Sequence, residues 1–458
     1  MYVAEVSKCT KEVFEATDCV NQTRMRLLTF ILFAPAFLLA QVDPAYEVYK
    51  VWDQEHQGLD YSARMKALFD VSAEWTAKWP DSRFAWQQRR NSLLSTQSHS
   101  PELWKQAGEN LIRLSPPHTA ATGVAYDWVA AHINLKEAAA LLDSEIGWLD
   151  ARPAPSKPPH PTLADLIDEA HSKTAIFDPL CTFAWAQIQL KEFAEAHKTV
   201  VRIRAWLDGD FKKYFDQDPL ETFPDHESKY FFYAAQLAEA EGKKVDALAF
   251  YQRVVANPYY RREYSGPVNP ARALWKEAGG SEEGWALFSA APALPPGVPS
   301  GHRGVSFLPW IALDYKLPEL NAAGPDSRTW TNHDFAGKST MIYLWASWCA
   351  PCWMHLPAIQ SLANAIKDRK DIQLVTLSVD EDREKLASFM KEKGYTFSVM
   401  VDKVYADKLL PHMTLGQHWI VDASGSIRLV RVSSNFNGAM QAFVDESIYK
   451  LKQIAGAR

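Results

Sequence analysis

The chain has 458 residues, a formal net charge of -6 spread along its length, 47% hydrophobic residues and 17 tryptophans. That length predicts two or three domains, each with its own core, and the aromatic content excludes a low-complexity chain. The dispersed charge excludes a dedicated nucleic-acid binder, which needs a clustered basic surface for the phosphates.

No stretch reaches the roughly 20 apolar residues that span a bilayer. The nearest is MRLLTFILFAPAFLLA, Met25 to Ala40, with Arg24 and Arg26 ahead of a run of about 14 mostly apolar residues ending Leu-Leu-Ala. This is the layout of a bacterial secretory signal peptide cleaved near Ala40. Met25 is then the natural start and residues 1–24 are an upstream extension. The alternative is an uncut signal-anchor that leaves the protein membrane-tethered. Either way the bulk of the chain is exported, to the periplasm or an equivalent extracytoplasmic space. Cys9 and Cys19 precede the signal, so the exported part holds Cys181, Cys349 and Cys352. Those are too few for a disulfide framework, and the CxxC pair asks for a redox or a metal explanation.

From 41 to 290 the pattern is helical. YFFYAAQLAEAEGKKVDALAFYQRVVANP, Tyr230 to Pro258, carries apolar residues at three- and four-residue spacing on both sides of a Gly-Lys-Lys break. This stretch resembles a tetratricopeptide repeat. Ala235 sits where two helices must approach closely, Gly242 at the turn, Ala247 and Tyr251 at packing positions, and Pro258 at the end. Related second-helix starts occur at Ile133 to Asp143 and Gln189 to Val201. The equivalent alanines, Ala139, Ala196 and Ala247, are irregularly spaced, so the expectation is a divergent helical-repeat domain. A plain helical bundle is the alternative. The proline-rich ARPAPSKPPHPT, Ala151 to Thr162, reads as a loop inside it. Cys181 in FDPLCTFAWAQ reads as a buried helix residue.

APALPPGVPSGHRG, residues 291–304, is the predicted linker, because proline and glycine at this density exclude regular structure. Residues 305–458 then alternate. MIYLW (Met341 to Trp345) reads as a buried strand, and a helix is predicted from Cys349 to Lys367. IQLVTLSVD (Ile372 to Asp380) reads as a second strand and Glu381 to Gly394 as an amphipathic helix. FSVMVD and HWIVDASGSIRLVRV supply further strands with an Ala-Ser-Gly turn, and a helix from Gly438 to Ile454 closes the chain. Strands alternating with helices and then a hairpin describe a mixed α/β sheet. Asp380 and Asp402, at strand ends, are expected to cap the helices or turns after those strands.

Residues 345–357 read WASWCAPCWMHLP. At a strand-to-helix junction the Cys349 sulfur sits among the free amides of a helix N-terminus, where partial positive charge favours the thiolate. Cys352, three residues on, shares its face and can resolve a mixed disulfide. Pro351 is tolerated in the first turn, which needs no amide donor.

Here the chain resembles the thioredoxin superfamily, specifically its TlpA-like, ResA-like exported thiol-disulfide oxidoreductases. DFAGKSTMIYLWASWCAPCWMHLP (Asp334 to Pro357), LSVDEDREKLASFMKEKGYTFSVMVD (Leu377 to Asp402) and WIVDASGSI (Trp419 to Ile427) carry the resemblance. It implies a thioredoxin-like fold, Cys349 as attacking thiol, Cys352 as resolving thiol and Trp348 packed beside them. It also implies client contacts by Pro351, Gly416 and Gln417.

Three positions depart from that pattern. The family's cis-proline falls at Gly416, six residues before Asp422, and Pro411 is out of register to replace it. A glycine there can still offer backbone groups to a client but loses the bias toward a cis bond. The buried acid that thioredoxins carry six residues before the first cysteine is Tyr343. The glutamate that ResA-like members carry three residues after the second cysteine is His355, which can take the resolving thiol's proton; the bland reading is a partly exposed histidine without a role.

The function expected is therefore reduction or exchange of client protein disulfides, with electrons from a membrane-linked thiol donor and the helical domain binding the client. No separate cofactor is expected, the redox group being the Cys349/Cys352 disulfide itself. The alternatives are an adaptor with a decayed redox domain, and metal capture by Cys349, Cys352 and His355, which falls short of a closed structural zinc site. A peroxidase reading lacks its Thr or Ser three residues before the cysteine, where Ala346 stands.

Overall fold

The computed structural model describes residues 43–56, 58–95, 100–153, 158–216, 223–257, 265–290, 310–411, 414–432 and 440–456. The signal-like segment 25–40, the upstream residues 1–24, Pro258 and the linker 291–304 lie outside the described residues. Two compact units divide the chain between Asn134 and Leu135.

The first unit is helical: α1 (Pro44–Glu55), α2 (Tyr61–Lys78), α3 (Arg83–Ser95), α4 (Pro101–Leu114) and α5 (Ala121–Ala130). Asp43 and Ser100 cap α1 and α4, each followed by a proline in the first turn. Ala45, Trp52, Leu68, Trp75 and Ala85 form an apolar core.

The second unit opens with α6 (Leu135–Ala151), α7 (Leu163–Thr174), α8 (Phe177–Gln189), α9 (Phe193–Trp206), a π turn, α10 (Lys212–Tyr214), α11 (Phe223–Ala240), α12 (Lys244–Val255), α13 (Ser265–Glu277) and α14 (Glu282–Phe288). Three of its turns are built alike. Lys191, Gly242 and Gly279 take positive φ of 63°, 76° and 82°. The next amide in each reaches back five residues: Glu192 to the Gln187 carbonyl at 2.9 Å, Lys243 to Ala238 at 2.8 Å, Gly280 to Trp275 at 2.9 Å. This left-handed cap satisfies orphan carbonyls and turns the chain into the next helix. Ala235, Ala247 and Tyr251 are buried at the α11–α12 contact, as the spacing predicts.

An eight-stranded sheet follows: β1 (Ile311–Lys316), β2 (Asn321–Ala323), β3 (Thr329–Thr331), β4 (Ser339–Trp345), β5 (Ile372–Ser378), β6 (Val399–Val401), β7 (Gln417–Val421) and β8 (Ser426–Val432). Its order is β1-β8-β7-β4-β5-β6-β2-β3. β4, β5 and β6 pair in parallel, the rest antiparallel. Parallel neighbours need crossovers, supplied by α15 (Ala350–Trp353) with α16 (Leu356–Ile366), and by α17 (Arg383–Lys393). α18 (Lys403–Leu409), capped by Asp402, and α19 (Met440–Gly456) complete the unit. β4 is buried along its whole length, as befits a central strand covered on both faces.

The helices and the sheet share one core. A single apolar cluster joins Leu163, Leu180, Leu207, Phe211 and Phe215 to Ile311, Ile342, Trp419 and Val430. Phe215 bridges Ile311 as an extra antiparallel pair, and the Asp216 amide donates to the Trp310 carbonyl at 2.9 Å. Contacts divide the chain after Asn134; α7 to α9 bury apolar residues in the core they share with the sheet, while α12 to α14 pack with α11 in a cluster of their own.

Candidate functional site

Cys349 and Cys352 form a disulfide with Cα atoms 5.3 Å apart, at the junction of β4 and α15. Cys349 is the N-cap of α15, with Pro351 in the first turn as the sequence requires. Cys352 is 1% exposed, whereas Cys349 is half-buried, so only the first sulfur meets solvent. The predicted helix from Cys349 to Lys367 is broken at Met354 and His355. Pro357 has no amide for the Trp353 carbonyl, so α16 restarts at Leu356.

Two anchors fix the loop ahead of Cys349. The Asp380 carboxylate accepts from the Ser347 amide at 2.8 Å, the Ser347 hydroxyl at 2.6 Å and the Ser378 hydroxyl at 2.6 Å. From the other side the Trp353 indole donates to the Ser347 carbonyl at 2.8 Å. Asp380 therefore does not cap the following helix as expected. Asp382 caps α17, because its carboxylate reaches the Glu384 and Lys385 amides. The only signal for the Asp380 latch was its place at the end of the strand beside β4.

Around the disulfide the surface is apolar. Trp348 is 66% exposed and Met354 68%, so most of the Trp348 ring faces solvent instead of packing on the cysteines. Pro351 is exposed beside them. Gly416 has a φ of 86°, and a Cβ there would meet nothing within 4 Å, so conformation rather than space favours glycine. Its amide donates to the Leu344 carbonyl at 2.8 Å. The backbone donor that the sequence offered to a client is committed to the sheet. No cis peptide occurs among the described residues. Gln417 is buried, its Oε1 accepting from the Trp419 indole at 3.0 Å, which turns its side chain inward from a client.

His355 is not the partly exposed histidine of the bland reading. It is 5% exposed, and its Nδ1 lies 3.2 Å from the Tyr343 hydroxyl. Burial pushes the Tyr343 phenol well up, so it stays neutral. His418, fully buried on β7, packs its ring against Tyr343 at a tilt of 32° with ring centres 4.7 Å apart. Sequence reasoning missed His418, since its alignment with Tyr343 depends on strand register. Cys181 is buried in α8 as expected, and burial pushes its thiol far up, which disfavours the thiolate that exchange needs. Among the described residues no group of three or more His, Cys, Asp or Glu side chains is set to hold a metal ion.

A helical region followed by this sheet, with a CxxC disulfide at the β4–α15 junction, defines a multidomain protein ending in a thioredoxin-like redoxin domain. Residues 313–430 match the AhpC/TSA family. Among relatives, the thioredoxin-like protein YneN of Bacillus subtilis is 24% identical over 163 residues, covering 35% of this chain and 88% of that protein. The thiol-disulfide oxidoreductase ResA of Oceanobacillus iheyensis is 33% identical over 92 residues, 20% of this chain and 47% of ResA. The crystal structure of StoA from Bacillus subtilis is 19% identical, covers 30% of this chain and 97% of its own, and aligns with a TM-score of 0.25.

Proposed function

We propose that the chain is an exported thiol-disulfide oxidoreductase that reduces or exchanges the disulfides of client proteins. The observation that carries this reading is the pairing of a solvent-reaching Cys349 with a buried Cys352 at a helix N-terminus. In the reduced form the Cys349 thiolate attacks a client disulfide, and one client sulfur leaves with the bonding pair. Cys352 then attacks the Cys349 sulfur and releases the second client sulfur. Two electrons pass from dithiol to client, and a membrane-linked thiol donor restores the dithiol. His355 takes the proton of Cys352, from the turn between α15 and α16 where its amide donates to the Cys352 carbonyl at 3.0 Å. Trp348, Pro351 and Met354 supply an apolar collar for the client segment.

The three like-built turns support a tetratricopeptide-like reading of α8 to α14, which offers clients a second surface. Among the described residues no helix is long and apolar enough to cross a membrane; export and any tether rest on the Met25 to Ala40 signal. Insulin-disulfide reduction by wild type and Cys349→Ser tests the activity. Loss of turnover in the variant is expected, while equal rates would leave the adaptor reading in its place.

A further inference from the structure

Beneath the active-site helix the sheet carries a buried polar row that thiol chemistry alone does not explain. Register creates it: Tyr343 on β4 pairs with His418 on β7, and His418 pairs with Arg431 on β8. The Arg431 guanidinium lies 4.2 Å over the Trp310 ring. Directly opposed residues share a sheet face. All four side chains are fully buried.

Helices supply the row's other partners. Glu446 of α19 takes Arg431 in a two-pronged ion pair and accepts from the Trp310 indole at 3.0 Å, so the fixed charge is compensated. Lys450 of the same helix is buried and paired with Asp216. At the far end His355 reaches Tyr343 through Nδ1, and the Tyr343 hydroxyl is also 3.3 Å from the Cys352 carbonyl. The His355 and His418 rings are 5.7 Å apart.

The resolving step needs a proton acceptor here. Cys352 is shut away from bulk water and must lose its proton as it attacks. The nearest carboxylate of the row, Glu446, is held by Arg431. If the Tyr343 hydroxyl donates to the Cys352 carbonyl, it accepts Nδ1–H from His355 and leaves Nε2 as the basic nitrogen. Burial, His355 and Arg431 hold His418 well below its ordinary value, so the second imidazole stays neutral and does not compete for the proton.

We propose that His355, Tyr343 and His418 act as one proton-accepting unit for Cys352, with His355 as the acceptor and Tyr343 and His418 as positioning residues. This rests on the dithiol cycle proposed above. As the Cys352 sulfur bonds to the Cys349 sulfur, its proton moves to His355 and the client sulfur departs with the bonding pair. The imidazolium then returns the proton to that thiolate. Only the dithiol is oxidised and only the client disulfide reduced.

The test separates attack from resolution. Reduced full-length chain, with Cys9→Ser and Cys19→Ser to remove competing thiols, is mixed with 5,5'-dithiobis(2-nitrobenzoate) in stopped flow. Attack by Cys349 releases one coloured thiolate and resolution by Cys352 releases a second. In wild type the second phase should level off above neutral pH. In His355→Gln it should be slower by about tenfold or more at neutral pH and climb about tenfold per pH unit, as expected when hydroxide replaces a general base. Tyr343→Phe and His418→Phe should each slow the second phase, and neither should slow it further when added to His355→Gln, because the three act as a unit. Release of two coloured thiolates per chain, with none from the buried Cys181, shows that each variant is folded. Parallel pH profiles in wild type and His355→Gln, or effects that multiply, would overturn the unit. Absence of the first phase in wild type would instead overturn the dithiol cycle.

Discussion

Replacing Asp380 should loosen the loop that presents Cys349. Its carboxylate is 7% exposed and accepts three hydrogen bonds, two of them from Ser347, two residues before the cysteine. A hydrogen bond to a charged group contributes about 1.5–3 kcal/mol, and bonds sharing one acceptor do not add in full, so Asp380→Ala should cost roughly 3–5 kcal/mol. Asp380→Asn can keep its oxygen on the Ser347 amide and the Ser378 hydroxyl and turn its NH2 to the Ser347 hydroxyl, so it loses mainly the charge and should cost less, about 1–2 kcal/mol. Displacing the loop by about 1 Å also slows attack by Cys349, by up to roughly a hundredfold. Urea unfolding of the oxidised protein gives the stability, and insulin-disulfide reduction gives the rate. An alanine variant within about 0.5 kcal/mol of wild type, with an unchanged rate, would refute the latch.

His418 should make stability depend on acid. Its folded pKa lies below the ordinary value, so once the pH drops under about 6.5 the unfolded chain binds a proton that the folded protein excludes. Stability contributed by this site is complete above that value and falls by up to about 1.4 kcal/mol per pH unit below it. His418→Phe should flatten that loss in urea titrations between about pH 6.5 and about pH 5, and equal slopes would contradict it; His171, lowered by burial, contributes the same to both proteins. Asp216→Ala removes the carboxylate that meets the buried Lys450. A cost of about 3–5 kcal/mol is expected by calorimetry, and less than about 1 kcal/mol would mean that the Lys450 charge is accommodated elsewhere.

The elements readable from sequence were those whose pattern is local. β4 and β5 appear as unbroken apolar runs because both faces are covered, and the β7–β8 hairpin is marked by its Ala-Ser-Gly turn. β2 and β3 were not legible: each is three residues long, and their strand character comes from pairing, as between Ala323 and Val401. The cysteine pair was legible from spacing alone. His418 and Arg431 were not, since a histidine and an arginine inside strands look half-exposed until register places them side by side. Asp380 and Asp402 look equivalent in sequence, yet only Asp402 caps a helix. Asp380 has Ser347 of the neighbouring loop within reach, a partner that parallel β4–β5 pairing supplies.

The core that α7 to α9 share with the sheet bears on reach. With Phe211, Phe215 and Leu207 in the same cluster as Ile342 and Trp419, the helices and the dithiol belong to one body. A segment gripped by those helices would meet Cys349 at a separation set by packing. Its local concentration at the sulfur then depends on its own length beyond the grip, with no search by a swinging tether.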